Sequence, residues 1–468
     1  MNKTSDKNLK VVKNTKNSRS KSNIINKKKR RKRKKIIRLI FTFFLLITFI
    51  ISIIIFSKIV KNKHTKDTTE NSNEIANNYE STQINNNLVA TILSAYPEKF
   101  KNIVDNANKY EVQILYTQIN RKDDGSISFT ENGFNLDKNK YFYPASSIKL
   151  ATAIVALDKV NNLKINGLNK YSTMEIKSGH PSQTSEKVDM DSKNRKPSIA
   201  QYIKELLVVS DNNAFNRLYE FIGQQQLNET LWNKGYKDIL IRQRIADTPM
   251  TDENRYTNPI TFYDNKGKKI YDQPMAYNSK SYEMPIPYEN TQKGIKHEDD
   301  DGEIINGPHD FSESNYASIE TLQNLLKAVM FPQSIDKNSR FNLTEDDLKY
   351  LRNYLSILPK DCTYPSYDEL PDNYAKYFMY GSEDSDIPDN IKIYNKIGNA
   401  YGYLIDNAYI VDSENNVEFL LTAVIYSNED GIFAESHFNN DKIGMPFLTD
   451  LGNVIYEYEL NGRTLKNK

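Results

Sequence analysis

In the run YFYPASSIKLATAIVALDKV, Tyr141 to Val160, Ser146 and Lys149 stand three residues apart where a helix begins. Residues three apart on a helix share a face, so both side chains can project into one place. A helix N-terminus carries free N–H groups and partial positive potential, which suits a serine becoming negative. From Leu150 to Leu157 the helix is apolar nearly all round, as a helix buried within a domain reads. An ammonium held against such a core loses hydration, and its pKa falls toward neutrality. A lysine so placed can take the serine proton. The chemistry in view is nucleophilic attack by Ser146 with Lys149 as base, and it requires no histidine.

The spacing alone is weak, because Ser18/Lys21 and Ser334/Lys337 share it. An isolated Ser-x-x-Lys in a Lys-rich chain reads as a capping serine and a solvated lysine. The copy at Ser146 differs in having a Pro before it and a buried helix after it. A second element is Ser210-Asp211-Asn212, in VVSDNNAF between two helical runs. Alone it reads as a helix N-cap, since all three types favour that position. A third is Lys396-Ile397-Gly398, at the end of the alternating NIKIYNKIG. Alone it reads as a solvent-facing strand lysine before a turn, although a Gly on an edge strand also admits close approach by a ligand. Lys177-Ser178-Gly179 is a decoy for it, lying before Ser-Asp-Asn with no strand-like run ending on it.

Ser-x-x-Lys, then Ser-Asp-Asn, then Lys-x-Gly in this order resembles the motif set of the penicillin-recognising serine hydrolases, and most closely their class A β-lactamase branch. The resemblance covers about residues 88–460. It implies that Ser146 is acylated, that Lys149 is its general base or proton relay, and that Ser210 passes the proton to the leaving nitrogen beside Lys396. It further implies that Asn212 hydrogen-bonds a substrate amide, and that the N–H groups of Ser146 and Asn399, next to Gly398, form the oxyanion hole. Two departures stand out. Ile397 replaces a hydroxyl residue that would help hold a substrate carboxylate. No Glu-x-x-Leu-Asn follows Ser-Asp-Asn to activate a deacylating water. IRQRIADTPMTDENRYTNP occupies that place and offers only Asp247, Asp252 and Glu253.

The elements that must position these residues read as follows. LVATILSAYPEKFKNIVDNANKY looks like one helix, with EVQILYTQI and SISFT as a strand pair. PSIAQYIKELLVV and NAFNRLYEFIG are helices flanking Ser-Asp-Asn. Residues 249–314, rich in Tyr, Asn, Pro and acid, read as a long irregular insertion. YASIETLQNLLKAVMF is helical. NIKIYNKIG, YGYLIDNAYIVD and VEFLLTAVIYS form an antiparallel meander, and MPFLTDLGNVIYEYEL closes as a helix. The expectation is an α+β, β-lactamase/transpeptidase-like domain over 88–468, whose antiparallel sheet joins both ends of the chain beside a helical block.

Ahead of that domain, Lys27–Lys35 is an unbroken basic run, and Leu39–Ser57 is uncharged and mostly apolar. Such a segment is about long enough to cross a bilayer core of ~30 Å. The basic block before it argues for a cytoplasmic N-terminus, and no small-residue cleavage site follows. We therefore expect a basic cytoplasmic tail (1–38), an uncleaved single-pass transmembrane helix (39–60), a polar spacer (61–87) and the catalytic domain outside the cell membrane. Residues 1–38 hold 17 of the 63 basic and one of the 60 acidic residues, which leaves 46 basic against 59 acidic in the remainder. An acidic exterior domain argues against nucleic acid as a partner. The basic tail suits anionic lipid head groups.

Other chemistries find no support. Cys362 is the only cysteine, which excludes an internal disulfide or a thiolate metal cluster. His64, His180, His297, His309 and His437 show no paired zinc spacing. HEDDDGE, His297 to Glu303, fails as a calcium loop, because His297 and Pro308 would fill its first and last ligand positions. No cofactor or metal is expected. The resemblance leaves two substrates open, a β-lactam or a cell-wall peptide amide cleaved by a penicillin-binding, peptidase-like enzyme. A catalytically silent ligand sensor is the third reading. The intact serine and both lysines argue against it, as does the absence of any receiver-like segment in residues 1–38.

Overall fold

The computed structural model describes residue 84 and residues 87–465, except 182, 247–250, 300 and 384–385. The expected tail, transmembrane helix and nearly all of the spacer lie outside the described residues, as do Ser18, Lys21 and Asp247. No helix among the described residues is long and apolar enough to cross a membrane.

The two ends of the domain meet in one antiparallel sheet. Strands β1 (Gln113–Arg121) and β2 (Ile127–Phe134) form the early pair, and β3 (Ile391–Ala400), β4 (Tyr403–Asp412) and β5 (Val417–Tyr426) form the meander. The order is β3-β4-β5-β1-β2, with Gln113 opposite Val424 where the late strands join the early ones. β4 and β5 are buried almost throughout, on both faces. That is why their sequences run apolar without strict alternation.

Helices cover each face. On one side lie α1 (Leu88–Ser94), α2 (Pro97–Asp105) and the closing α9 (Met445–Leu460), which bring Val89, Phe100, Phe447 and Leu451 against Ile410 and Phe419. The expected single opening helix is two, because Pro97 cannot donate to the turn before it and instead starts α2. On the other side lie α3 (Lys149–Leu163), α4 (Ile199–Val208), α5 (Asn212–Ile222), α6 (Gln224–Asn233), α7 (Ile319–Met330) and α8 (Glu345–Ser356). In α7, Gln323 reaches Thr422 of β5 at 3.1 Å, and Asn407 of β4 donates to the Leu322 carbonyl at 2.8 Å.

The insertion is more ordered than its composition suggests. Ile260–Tyr263 pairs with both Thr173–Ile176 and Lys269–Gln273 in a small separate sheet. Lys296–Glu298 runs parallel to Ile432–Phe433, which ties the insertion to the end of the main domain.

Beneath β3, a polar group is enclosed in the apolar layer. Asp406 accepts the N–H groups of Tyr377 and Phe378 at 3.0 and 3.1 Å and the Asn395 amide at 2.8 Å. The same Asn395 accepts from Lys376 at 2.6 Å, and Lys376 also donates to the carbonyls of Leu355 and Ile393. Burial pushes the Lys376 pKa down and that of Asp406 up, yet each charge keeps a full set of partners. Removing one side of such a buried pair costs about 3–5 kcal/mol. Asp406→Ala is therefore expected to lower the unfolding free energy by that amount, read as a lower urea midpoint with the slope of the transition unchanged.

Candidate active site

Within Tyr141–Val160 every residue is buried except Ser146, which is half-buried. A 3₁₀ turn, Ala145–Ile148, carries Ser146 and runs directly into α3. Ala145 sits at φ 46°, in the left-handed region that costs a non-glycine residue about 1–3 kcal/mol. The turn persists because its neighbours are locked: Ser147 donates to the Pro144 carbonyl at 2.6 Å, and Ile148 is fully buried. Among the described residues the Ser146 hydroxyl has no hydrogen-bond partner, so it is free to meet a ligand.

Lys149, fully buried at the start of α3, crosses to the Ser-Asp-Asn turn. Its ammonium donates to the Ser210 carbonyl, to Asn212 Oδ1 at 2.6 Å and, more loosely, to Ser210 Oγ at 3.4 Å. Burial brings its pKa down to about 7, against the opposing field of Asp211. The helix spacing predicts contact with Ser146, but the lysine is held by Ser210 and Asn212 instead. A charged ammonium takes the strongest acceptors within reach, here a carbonyl and an amide oxygen.

The tripeptide divides its labour. Asp211 is the N-cap of α5, accepting from the Ala214 N–H at 2.7 Å, so the capping reading holds for that residue alone. Ser210 is held at φ 60°, a second left-handed non-glycine residue at the site. Its hydroxyl accepts from Lys396 at 2.8 Å. Lys396 is buried in the edge strand β3, and burial holds its pKa well below the ordinary lysine value, with the nearby Lys149 acting in the same direction. Residues from α3, the α4–α5 turn and β3 thus converge on Ser210 Oγ, although 186 positions separate Ser210 from Lys396. Lys396 is therefore not a solvent-facing strand residue.

The third motif has a packing logic that its letters conceal. Strand alternation sends Ile397 to the far face, into the cluster with Ile393, Leu404 and Phe447. An apolar residue suits that position. A Cβ on Gly398 would lie 2.7 Å from the Pro144 carbonyl and 3.2 Å from the Ser147 nitrogen. The close approach inferred for a ligand is made by the chain itself: β3 slides past the Ser146 turn and brings Asn399 beside it. Asn399 is exposed and accepts from Asn440 at 3.0 Å. Gly398→Ala should push strand and turn apart, costing about 1–3 kcal/mol of stability and slowing any reaction at Ser146. Thermal unfolding and the acylation rate read these two effects.

The remaining candidates lie apart. Asp252 is exposed and bonded to the Tyr277 hydroxyl at 3.0 Å, and Glu253 lies in the same 3₁₀ turn. Neither contributes to the field at Lys149, where Asp211 is the one carboxylate felt among the described residues. Contrary to the sequence reading, a strand does end at the decoy, since Thr173–Ile176 precedes Lys177. It belongs to the separate small sheet, and Ser178 is tied to the carbonyls of His180 and Gln183. Ser334 bonds the Phe331 carbonyl at 2.7 Å, and Lys337 is exposed.

Sequence reasoning missed one wall. A cavity of about 960 Å³ opens beside Asn399, lined by His309, Tyr401 and Phe433 among others. His309 comes from the insertion and stacks on Phe433 with ring centroids 5.1 Å apart. The lone aromatic residues of the insertion gave no periodic signal by which to find it.

Residues 96–264 match the family model described as the beta-lactamase enzyme family. No curated protein matches the chain. Among solved structures, the beta-lactamase from Streptomyces albus G is 10% identical, with a TM-score of 0.42 over 79% of this chain and 98% of that one. A class A beta-lactamase from Clostridium kluyveri is 13% identical, with a TM-score of 0.41 over 77% and 97%. A structure of PBP-A is also 13% identical, with a TM-score of 0.43 over 80% and 96%.

Proposed function

We propose that this chain, which has a beta-lactamase-like serine hydrolase fold, is an acyl-transferring amide hydrolase, and that it works outside a membrane with the apolar Leu39–Ser57 segment as its anchor. The observation that carries the reading is the convergence of Lys149 and Lys396 on the Ser210 hydroxyl, with the half-buried Ser146 in the turn that leads into the Lys149 helix. Neutral Lys149 takes the Ser146 proton as Oγ attacks the substrate carbonyl carbon. The N–H groups of Ser146 and Asn399 receive the developing oxyanion. Collapse breaks the C–N bond, and the leaving nitrogen takes a proton relayed through Ser210. Lys396, poised on Ser210 Oγ, sets the potential for that relay. Asn212 orients the substrate amide. Water then cleaves the acyl ester and returns Ser146.

The substrate is a β-lactam or a related cell-wall peptide amide. One observation favours the penicillin-binding, peptidase-like branch over an efficient class A β-lactamase: no acid other than Asp211 bears on Lys149 among the described residues, and Asp211 is spent on its helix cap. Together with the missing Glu-x-x-Leu-Asn, this leads us to expect a long-lived acyl-enzyme. Intact mass of the full-length chain after mixing with benzylpenicillin tests this. A lasting adduct of one whole penicillin supports the peptidase-like branch. A transient adduct with released penicilloic acid supports a β-lactamase. No adduct and no hydrolysis would sink acylation by penicillins and leave other amides or the silent sensor.

A further inference from the structure

Below the Ser-Asp-Asn turn, three carboxylates meet without a cation. One oxygen each from Asp189, Asp191 and Glu205 lies within 4.8 Å of the others. Asp189 and Glu205 are more than nine-tenths buried, whereas Asp191 is exposed. None of the three forms an ion pair among the described residues. The nearest lysine in sequence, Lys204, turns its ammonium to the carbonyls of Thr363 and Tyr364.

An acidic cluster alone means little, but one atom here is unexplained. Asp189 Oδ1 accepts the N–H groups of Asp191 and Ser192 at 2.9 and 3.2 Å. Asp189 Oδ2 is buried and has no partner. With Oδ1 committed to its own turn, Oδ2 is the oxygen left to face the cluster. A buried carboxylate oxygen without a donor is costly and calls for an explanation. Glu205 satisfies one oxygen on the Gln201 amide at 2.6 Å. With Asp189 Oδ2 unmatched and no cation beside the three carboxylates, a positive ion is the partner the cluster lacks.

The geometry points to a calcium site formed by Asp189, Asp191 and Glu205. An all-oxygen, carboxylate-rich set selects a hard cation. Calcium binds oxygens at about 2.3–2.6 Å, so oxygens that all lie within 4.8 Å of one another can share one such ion. Magnesium demands near-ideal octahedral geometry and gives up its waters reluctantly, so a set of three protein carboxylates favours calcium. Exposed Asp191 leaves a path for entry and for water to complete the shell. The site also has a place in the architecture. Glu205 lies on α4, and its backbone carbonyl accepts the N–H groups of Val209 and Asp211 on either side of Ser210. An ion on the Glu205 carboxylate would brace the end of α4 from which the strained Ser210 departs. This inference does not depend on the acyl-transfer reading, and its test reads binding rather than activity.

The full-length chain, stripped with EGTA, is titrated with CaCl₂ and with MgCl₂ by calorimetry and followed by thermal unfolding. We expect one calcium per chain, a midpoint raised by roughly 2–4 °C or more at saturation, and weaker binding of magnesium. Asp191→Asn, at an exposed position, should weaken calcium at least tenfold and remove the thermal shift. Asp299→Asn, in the acidic HEDDDGE turn where that carboxylate already accepts the N–H groups of Asp301 and Glu303, should leave both unchanged. The assignment is overturned by an absence of calcium binding, by binding that survives Asp191→Asn, or by magnesium binding as tightly as calcium.

Discussion

Mixed with benzylpenicillin, the Ser146→Ala chain is expected to gain no mass, while Ser147→Ala still becomes acylated. The contrast is sharp because the two hydroxyls are neighbours in one 3₁₀ turn and differ only in where they point. Ser147 is buried and committed to the Pro144 carbonyl, so it can neither reach a substrate nor shed its proton to Lys149. Its loss removes one hydrogen bond and costs about 1 kcal/mol of stability. Ser146 is the half-buried member, its hydroxyl uncommitted, at the start of the helix that carries the lysine. Deleting a nucleophile from a unit of cooperating groups lowers turnover by roughly 10⁴-fold or more. Intact mass against time measures both variants. Acylation of Ser146→Ala at a rate near that of the parent would remove Ser146 from the mechanism, whatever the substrate proves to be.

Much of this site was legible because its chemistry sits on regular elements. Helical spacing placed Lys149 one turn after Ser146, and strand alternation placed Lys396 at the end of an apolar run. The order of three motifs then brought together residues far apart in sequence, which neither periodicity could do. The meander and the closing helix were readable for the same reason, since each has a strong period and clear turns. What the sequence hid is long-range. Ile397 looked like a defect until its side chain was seen in the core on the far face of β3. Gly398 looked like room for a ligand, whereas the room is filled by the Pro144 carbonyl. Asp406 and Lys376 lie in different elements and meet through Asn395, a contact with no local signature. The opening helix was misread as one because its apolar pattern continues across Pro97. The insertion seemed irregular because its strands are only two to five residues long, too short to show a period, and some pair with segments far away in sequence.

Lys149→Met should keep the fold and lose the reaction. Methionine fills most of the space of the lysine stem and buries no charge, so the substitution removes a group that burial already disfavours. Three oxygens lose a donor: Ser210 Oγ keeps Lys396, and water entering with substrate can reach the Ser210 carbonyl and Asn212 Oδ1. Acylation should fall roughly 10²–10⁴-fold, the range for losing a positioned general base. The parent chain supplies the companion test through pH. With the Lys149 pKa brought down to about 7 by burial, the ammonium predominates below that value and cannot accept the Ser146 proton. The acylation rate should therefore climb with pH through about 7 and level off above it, tenfold per unit on the acid limb. In Lys149→Met this limb should vanish, because the residue that titrates is gone. A parent profile flat between pH 5 and 9 would show that the proton goes elsewhere. An unchanged acid limb in the variant would assign the titration to another group, and Lys396, held on Ser210 Oγ at 2.8 Å, would become the base to examine.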